Sequence, residues 1–141
     1  MISDELLQTD ILAKLKSISS VITLLPDGTE GIRELQWQGD NFQYPNVRLD
    51  LEDSGYEFDE QEQCQLYFAE FSLYVFSEER SSRQCSQIKG LLENYLTGRG
   101  WTGANAKYSR LRLIENIPAV RQDEVTWRSQ IRYRTRFTQL P

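Results

Sequence analysis

Residues 124–137 alternate between two chemistries. Val125, Trp127, Ile131, Tyr133 and Phe137 fall on one side of an extended chain, and Arg128, Gln130, Arg132, Arg134 and Arg136 fall on the other. A repeat of two is the period of a β-strand, and a helix would scatter these residues around its circumference. The chain must therefore build a sheet with one apolar face to bury and one cationic face to balance. The stretch before it, residues 107–117, repeats the pattern with Leu111 and Leu113 opposed by Arg110 and Arg112, and Pro118 lies in the expected connection.

Residues 63–77 form the other strong strand. The odd positions Tyr67, Ala69, Phe71, Leu73 and Val75 are wholly apolar, and the even ones mix Leu66, Phe68, Tyr74 and Phe76 with Glu70 and Ser72. Apolar groups on both sides mark a central strand, or one whose second face meets another subunit. Shorter strand patterns cover residues 32–37 and 46–52, the latter alternating Val47, Leu49 and Leu51 with Arg48, Asp50 and Glu52.

Two helices complete the pattern. Ser3 is placed to cap a helix that opens on Asp4 and Glu5 and carries Leu7, Ile11, Leu15, Ile18 and Ile22 as one stripe, ending before Pro26-Asp27-Gly28. A second helix, from about residue 77 or 81 to 97, puts Cys85, Ile88, Leu92 and Leu96 on one face, with Gly98 and Gly100 placed to end it. The expected fold is a single α+β domain over residues 1–141. It has an antiparallel or mixed sheet of about four to five strands, with two helices packed on one face. Exposed loops are expected at about 52–63 and 98–106.

Charge divides along the chain. Residues 1–79 hold 4 basic and 17 acidic side chains, net −13, and residues 80–141 hold 12 and 4, net +8. The chain contains no histidine, which excludes Ser-His-Asp and Cys-His triads, imidazole general bases and His-ligated zinc. Cys64 and Cys85 lack CxxC spacing, so they read as thiols in a reducing compartment and not as a zinc or disulfide framework. The polar, acidic start is not that of a signal peptide. No apolar run approaches the ~20 residues of a membrane span.

Gly98-Arg99-Gly100-Trp101-Thr102-Gly103 spells G-x-G-x-x-G, but it follows a helix instead of opening one, so a phosphate would meet the carbonyl end. The acidic cluster around Asp50, Glu52, Asp53, Glu57, Asp59, Glu60 and Glu62 lacks the spacing of a calcium loop and reads as a solvated segment. A carboxylate-based enzyme working from residues 50–62 is the weakest of the functional readings, because nothing in the sequence marks one of these acids as buried. Neither a metal nor a cofactor is expected.

The arginines carry the most content. Arg110, Arg112, Arg128, Arg132, Arg134 and Arg136 would share one face of two adjacent strands, where like charges repel unless anions balance them. Three sources of anion are open. They are carboxylates of the same chain (Asp50, Glu52 or Glu70), nucleic-acid phosphates with Tyr74 or Tyr108 for stacking, or the acidic half of a second copy. A sequence pI near 4.8 counts against the nucleic-acid source.

Four segments resemble the bacteriophage tail terminator or tail completion family of small head-to-tail joining proteins. Leu6-Leu7-Gln8-Thr9-Asp10-Ile11-Leu12-Ala13-Lys14-Leu15 is similar to the family's opening helix. Tyr44-Pro45-Asn46-Val47-Arg48-Leu49 is similar to its Tyr/Phe-Pro-x-Val strand start. Phe71-Ser72-Leu73-Tyr74-Val75-Phe76-Ser77, followed by a helix containing Ile88-Lys89-Gly90-Leu91-Leu92, and the closing strand pair complete the resemblance. The chain departs from the family's pattern in its acidic 52–63 segment and in the weight of arginine on its last strands.

The resemblance implies a non-enzymatic virion assembly protein with no catalytic residues to carry over. It implies a hexameric ring that caps the tail tube, stops its polymerisation and joins tail to head. The implied partners are further copies, the tail tube protein and the head-completion protein, in the virion and, during assembly, in the host cytoplasm. From the residues themselves, Phe68, Tyr74, Phe76 and the six arginines are expected to form subunit or tube surfaces. Glu52, Asp53, Glu57, Asp59 and Glu60 are expected to form an acidic partner loop. The alternative is a monomeric RNA- or single-strand-binding module using the arginine face.

Overall fold

A computed structural model describes residues 2–39, 42–57 and 66–141. Helix α1 (Asp4–Lys16) is followed by a short helix α2 (Ser19–Ile22) and a 3-10 turn (Gly28–Gly31). Strands β1 (Ile32–Glu34), β2 (Asn46–Tyr56) and β3 (Tyr67–Ser77) come next, then helix α3 (Arg83–Leu96). Strands β4 (Trp101–Thr102), β5 (Ala106–Tyr108), β6 (Arg112–Arg121) and β7 (Trp127–Gln139) close the chain. Among the described residues the seven strands form one mixed sheet in the order β1-β2-β3-β7-β5-β4, with β6 also on β7. Only the β1–β2 pair is parallel among the described pairs.

Ser3 caps α1 by accepting the Leu6 N–H, and Asp4 and Glu5 occupy the first turn as the dipole favours. The apolar stripe does not run on as one helix. The Ser17 hydroxyl donates to the Lys14 carbonyl, and Ile18 turns extended, so the chain breaks before α2. The stripe stays continuous in space all the same. Leu7, Ile11, Leu15 and Ile18 are buried, but the break turns Val21 inward in place of the expected Ile22, which is only half-buried; Cys85, Ile88, Leu92 and Leu96 of α3 are buried with them. All but Leu7 pack against Val47, Leu49, Phe71, Leu73, Val75, Ile131 and Tyr133, and Leu7 packs with Tyr67, Ala69, Tyr108 and Phe137. Helices on one face of an α+β sheet is the expected arrangement.

The strand count is not the expected one. The described residues hold seven strands where four to five were expected, because the strand expected over 107–117 divides into β5 and β6, and β4, two residues long, is shorter than any periodic signal. The expected loop at 98–106 contains β4 and the start of β5. The expected strand over 107–117 is interrupted. After Tyr108 the chain leaves the edge of β7 so that Leu111 can exchange hydrogen bonds with Gly98 and Arg99, then returns as β6. Pro118 lies inside β6, at the register shift between Ile117 and Val120, where its missing N–H is tolerated. The connection falls instead at residues 122–126, where the Asp123 carboxylate accepts the Val125 and Thr126 N–H groups.

The acidic segment also differs from expectation. Glu52–Tyr56 belongs to β2, not to a loop, and residues 58–65, with Asp59, Glu60, Glu62 and Cys64, lie outside the described residues.

Gly98, at φ +75°, ends α3 as expected. Gly100 is needed for close approach, since a Cβ there would lie 2.6 Å from the Tyr108 carbonyl oxygen and 3.0 Å from the Ser109 carbonyl carbon. Gly100→Ala must push backbone against backbone and is expected to cost about 1–3 kcal/mol in a denaturant titration.

Candidate interface on the arginine face

The face of β3 and β7 turned away from the helices is built by register. Opposite one another stand Phe68 and Arg136, Glu70 and Arg134, Ser72 and Arg132, Tyr74 and Gln130, and Phe76 and Arg128. On the other side of β3, Leu51 pairs with Phe71 and Asp53 pairs with Glu70, so Glu52 is an inserted residue. Glu52 keeps the face of Asp50, where it meets Ser72 and Arg132, and the bulge resets the alternation of β2 so that Asp53 joins the same face opposite Glu70.

The result is an alternating ladder of charge. Arg132 meets Glu52 at 3.2 Å and Glu70 at 2.7 Å. Arg134 meets Glu70 at 2.6 Å and Glu57 at 2.9 Å, and Arg136 meets Glu57 at 3.3 Å. Three arginines thus share three carboxylates of the same chain. Glu70 is the centre, with its side chain 15% exposed. The hydrogen bond from Arg134 and then that from Arg132 hold its carboxyl below the usual range, against the opposing effect of burial. Its bonds in turn raise both guanidiniums. A carboxyl held ionised in this way is no general acid.

The apolar residues of this face are partly covered by the same arginines. Arg134 lies 4.1 Å above the Phe68 ring, and Phe68 in turn fills the space over Gly55. Tyr74 stacks on Phe76 with centroids 6.3 Å apart, and Arg128 sits 5.8 Å from the Tyr74 centroid. Phe68, Tyr74 and Phe76 are all half-buried. Burial, followed by Glu52 and Asp50, raises the Tyr74 hydroxyl.

The six arginines therefore divide. Arg132, Arg134 and Arg136 are ion-paired within the chain. Among the described residues Arg110, Arg112 and Arg128 meet no carboxylate. Of the expected acidic partner residues, Glu52 and Glu57 are occupied by these arginines, Asp53 faces Glu70 in β2, and Asp59 and Glu60 are not described.

Two arrangements on this molecule escape the sequence reading. Arg48 donates to the carbonyls of Glu34, Leu35 and Trp37 and lies 4.0 Å from the Phe42 ring centroid, which pins the segment after β1. The other is the outer edge of β6. Among the described residues no strand pairs with it, and Leu113, Ile114 and Val120 are 37%, 40% and 42% exposed beside it. The backbone N–H and C=O groups of an open strand edge offer hydrogen bonds to another chain, and apolar side chains beside them offer surface to bury.

No model of a known protein family matches the chain, and no curated protein matches it. Among solved structures, a chain in the virion of a native gene transfer agent particle superposes with a TM-score of 0.76 at 16% identity, covering 95% of both chains. What the two chains share is the fold. Among the described residues no helix is long and apolar enough to cross a membrane, and no three His, Cys, Asp or Glu side chains are grouped to hold a metal.

Proposed function

We propose that this chain is a non-enzymatic structural protein of a phage or phage-derived virion, acting as a homo-oligomeric ring that ends the tail tube and joins tail to head. The reading rests on one observation, the near-complete correspondence of fold with a chain that is part of a virion. The finer assignment, a hexameric terminator contacting the tail tube and head-completion proteins, comes from the resemblance of the opening helix, the Tyr44-Pro45 strand start and the closing strands to that family. Its place is the virion, reached from the host cytoplasm.

The contact surface differs from the one the alternation suggests. Arg132 and Arg134 are neutralised within the chain, so reversing their charge would damage the fold before it damaged an interface. The open edge of β6 is the better subunit surface, because it offers unpaired main chain beside Leu113, Ile114 and Val120. The same neutralisation removes most of the support for nucleic-acid binding by the whole face.

Light scattering on the purified protein, alone and mixed with its tail tube protein, tests the proposal. A ring of several copies should form in at least one condition. Ile114→Asp with Val120→Lys should reduce it to monomer without lowering the melting temperature by more than a few degrees. A chain that stays monomeric in both conditions would sink the ring.

A further inference from the structure

A pocket of about 160 Å³ opens on the arginine face, lined by Ser109, Arg110, Arg112, Arg134, Thr135 and Arg136. It exists because β5 and β6 use successive stretches of the same edge of β7, and the chain between them arches away to bond Leu111 to Gly98 and Arg99. Ser109 holds the gap rigid. Its N–H donates to the Arg136 carbonyl at 2.8 Å, its hydroxyl accepts the Arg136 N–H at 3.0 Å, and its carbonyl accepts the Thr135 hydroxyl at 2.9 Å. Both hydroxyls are thus engaged by backbone. Of the four guanidiniums at the pocket, Arg134 and Arg136 are held by Glu70 and Glu57, which leaves Arg110 and Arg112 as the charged groups that can meet a ligand.

We infer that this pocket is a binding site for a doubly charged oxyanion of the phosphate class, either free phosphate or a phosphomonoester. Charge carries the argument. The ladder of Arg132, Arg134 and Arg136 is balanced by Glu52, Glu57 and Glu70. Arg110 and Arg112 remain, both exposed and without a carboxylate among the described residues, and together they add two positive charges at the pocket. Arg112 stands directly across from Arg134 in the β6–β7 register. Arg134 is already held by Glu70 and Glu57, so the uncompensated charges at the pocket are those of Arg110 and Arg112. One carboxylate would leave a positive charge over, whereas a phosphate dianion matches both. Its oxygens also suit the planar, two-pronged donor set of arginine.

The inference does not depend on the ring, because it is read on the isolated chain. Inorganic phosphate is titrated calorimetrically into the full-length protein at pH 7.5, with ionic strength held constant by sodium chloride. One saturable site is expected. The double variant Arg110→Ala/Arg112→Ala should weaken it by roughly tenfold or more. Arg128→Ala, on the same face but outside the pocket, should leave it unchanged. A mononucleotide 5′-phosphate and its nucleoside then separate the sources. Tighter binding of the nucleotide with none of the nucleoside assigns a phosphomonoester, and equal or weaker binding of the nucleotide assigns free phosphate. No saturable site for phosphate, or equal affinity in the Arg110/Arg112 variant, would overturn the inference.

Discussion

Asp10→Ala is expected to lower the stability of this protein by about 3 kcal/mol, which for a chain of this size moves the melting temperature by roughly 10 °C. Asp10 lies on α1 and is only 2% exposed. One carboxylate oxygen accepts the Tyr108 hydroxyl at 2.8 Å and the Asn105 N–H at 3.2 Å, and the other accepts the Asn105 side-chain amide at 2.9 Å. Gly103 must pass close by, since a Cβ there would sit 2.7 Å from the same carboxylate. This single side chain therefore ties the N-terminal helix to the β4–β5 hairpin, where Tyr108 stacks on Trp101 with centroids 4.2 Å apart. Alanine would leave the Tyr108 hydroxyl buried with no acceptor, which is the costly kind of loss. Asp10→Asn keeps one acceptor oxygen and should cost about half as much. Burial first, and then the bond to Asp10, push the Tyr108 hydroxyl far above the ordinary phenol range, so it stays a donor through the folded pH range. Tyr108→Phe combined with Asp10→Ala in a double-mutant cycle should recover about 1–2 kcal/mol of coupling. Additive effects of the two changes in urea unfolding would argue against the tie.

Why Asp10 is hard to find in the sequence is instructive. It stands three residues after Leu7 and beside Ile11, on the buried stripe of the helix, where an acid has no reason to be unless it has a partner. That is the available signal, but the partners are 95 and 98 residues away in the chain. The same separation of local and non-local information runs through the fold. The alternation in residues 67–77 and 127–137 is legible because long strands repeat their period many times. β4 and β5 repeat theirs once or not at all.

The bulge at Glu52 is a different kind of difficulty. Nothing in Asp50-Leu51-Glu52-Asp53 distinguishes the end of a strand from an inserted residue within one, and its acidity favours reading a loop. Carboxylates of the same chain were one open source of anions for the arginines. Choosing it required the register of β2 against β3 and of β3 against β7, which pairs residues across gaps of 11 to 70 positions. The division of the six arginines into three neutralised and three without a described carboxylate is a property of that register alone.

The centre of the ladder gives the second large effect. Glu70→Ala is expected to cost about 2 kcal/mol at pH 7, between the small value of an exposed ion pair and the larger one of a fully buried pair. Both guanidiniums that share Glu70 are about 30% exposed, and each keeps a second carboxylate, Glu52 for Arg132 and Glu57 for Arg134. The loss should depend on pH in a definite direction. The bonds from Arg134 and Arg132 hold the Glu70 carboxyl below its ordinary value of 4.5 in the folded chain. A carboxyl whose folded value is depressed contributes its stability in full above the unfolded value and loses it as pH falls through the folded one. Wild type and Glu70→Ala should therefore differ by the full amount at pH 6–7, and the gap should narrow once the pH drops below about 4.5. Glu70→Gln, which keeps the shape and removes the charge, should follow the same curve with a smaller gap. Unfolding in urea at several pH values measures this directly. A gap that stays constant down to pH 3 would mean that Glu70 acts by packing against Phe68 and its neighbours, and that the arginines of this face find their balance elsewhere.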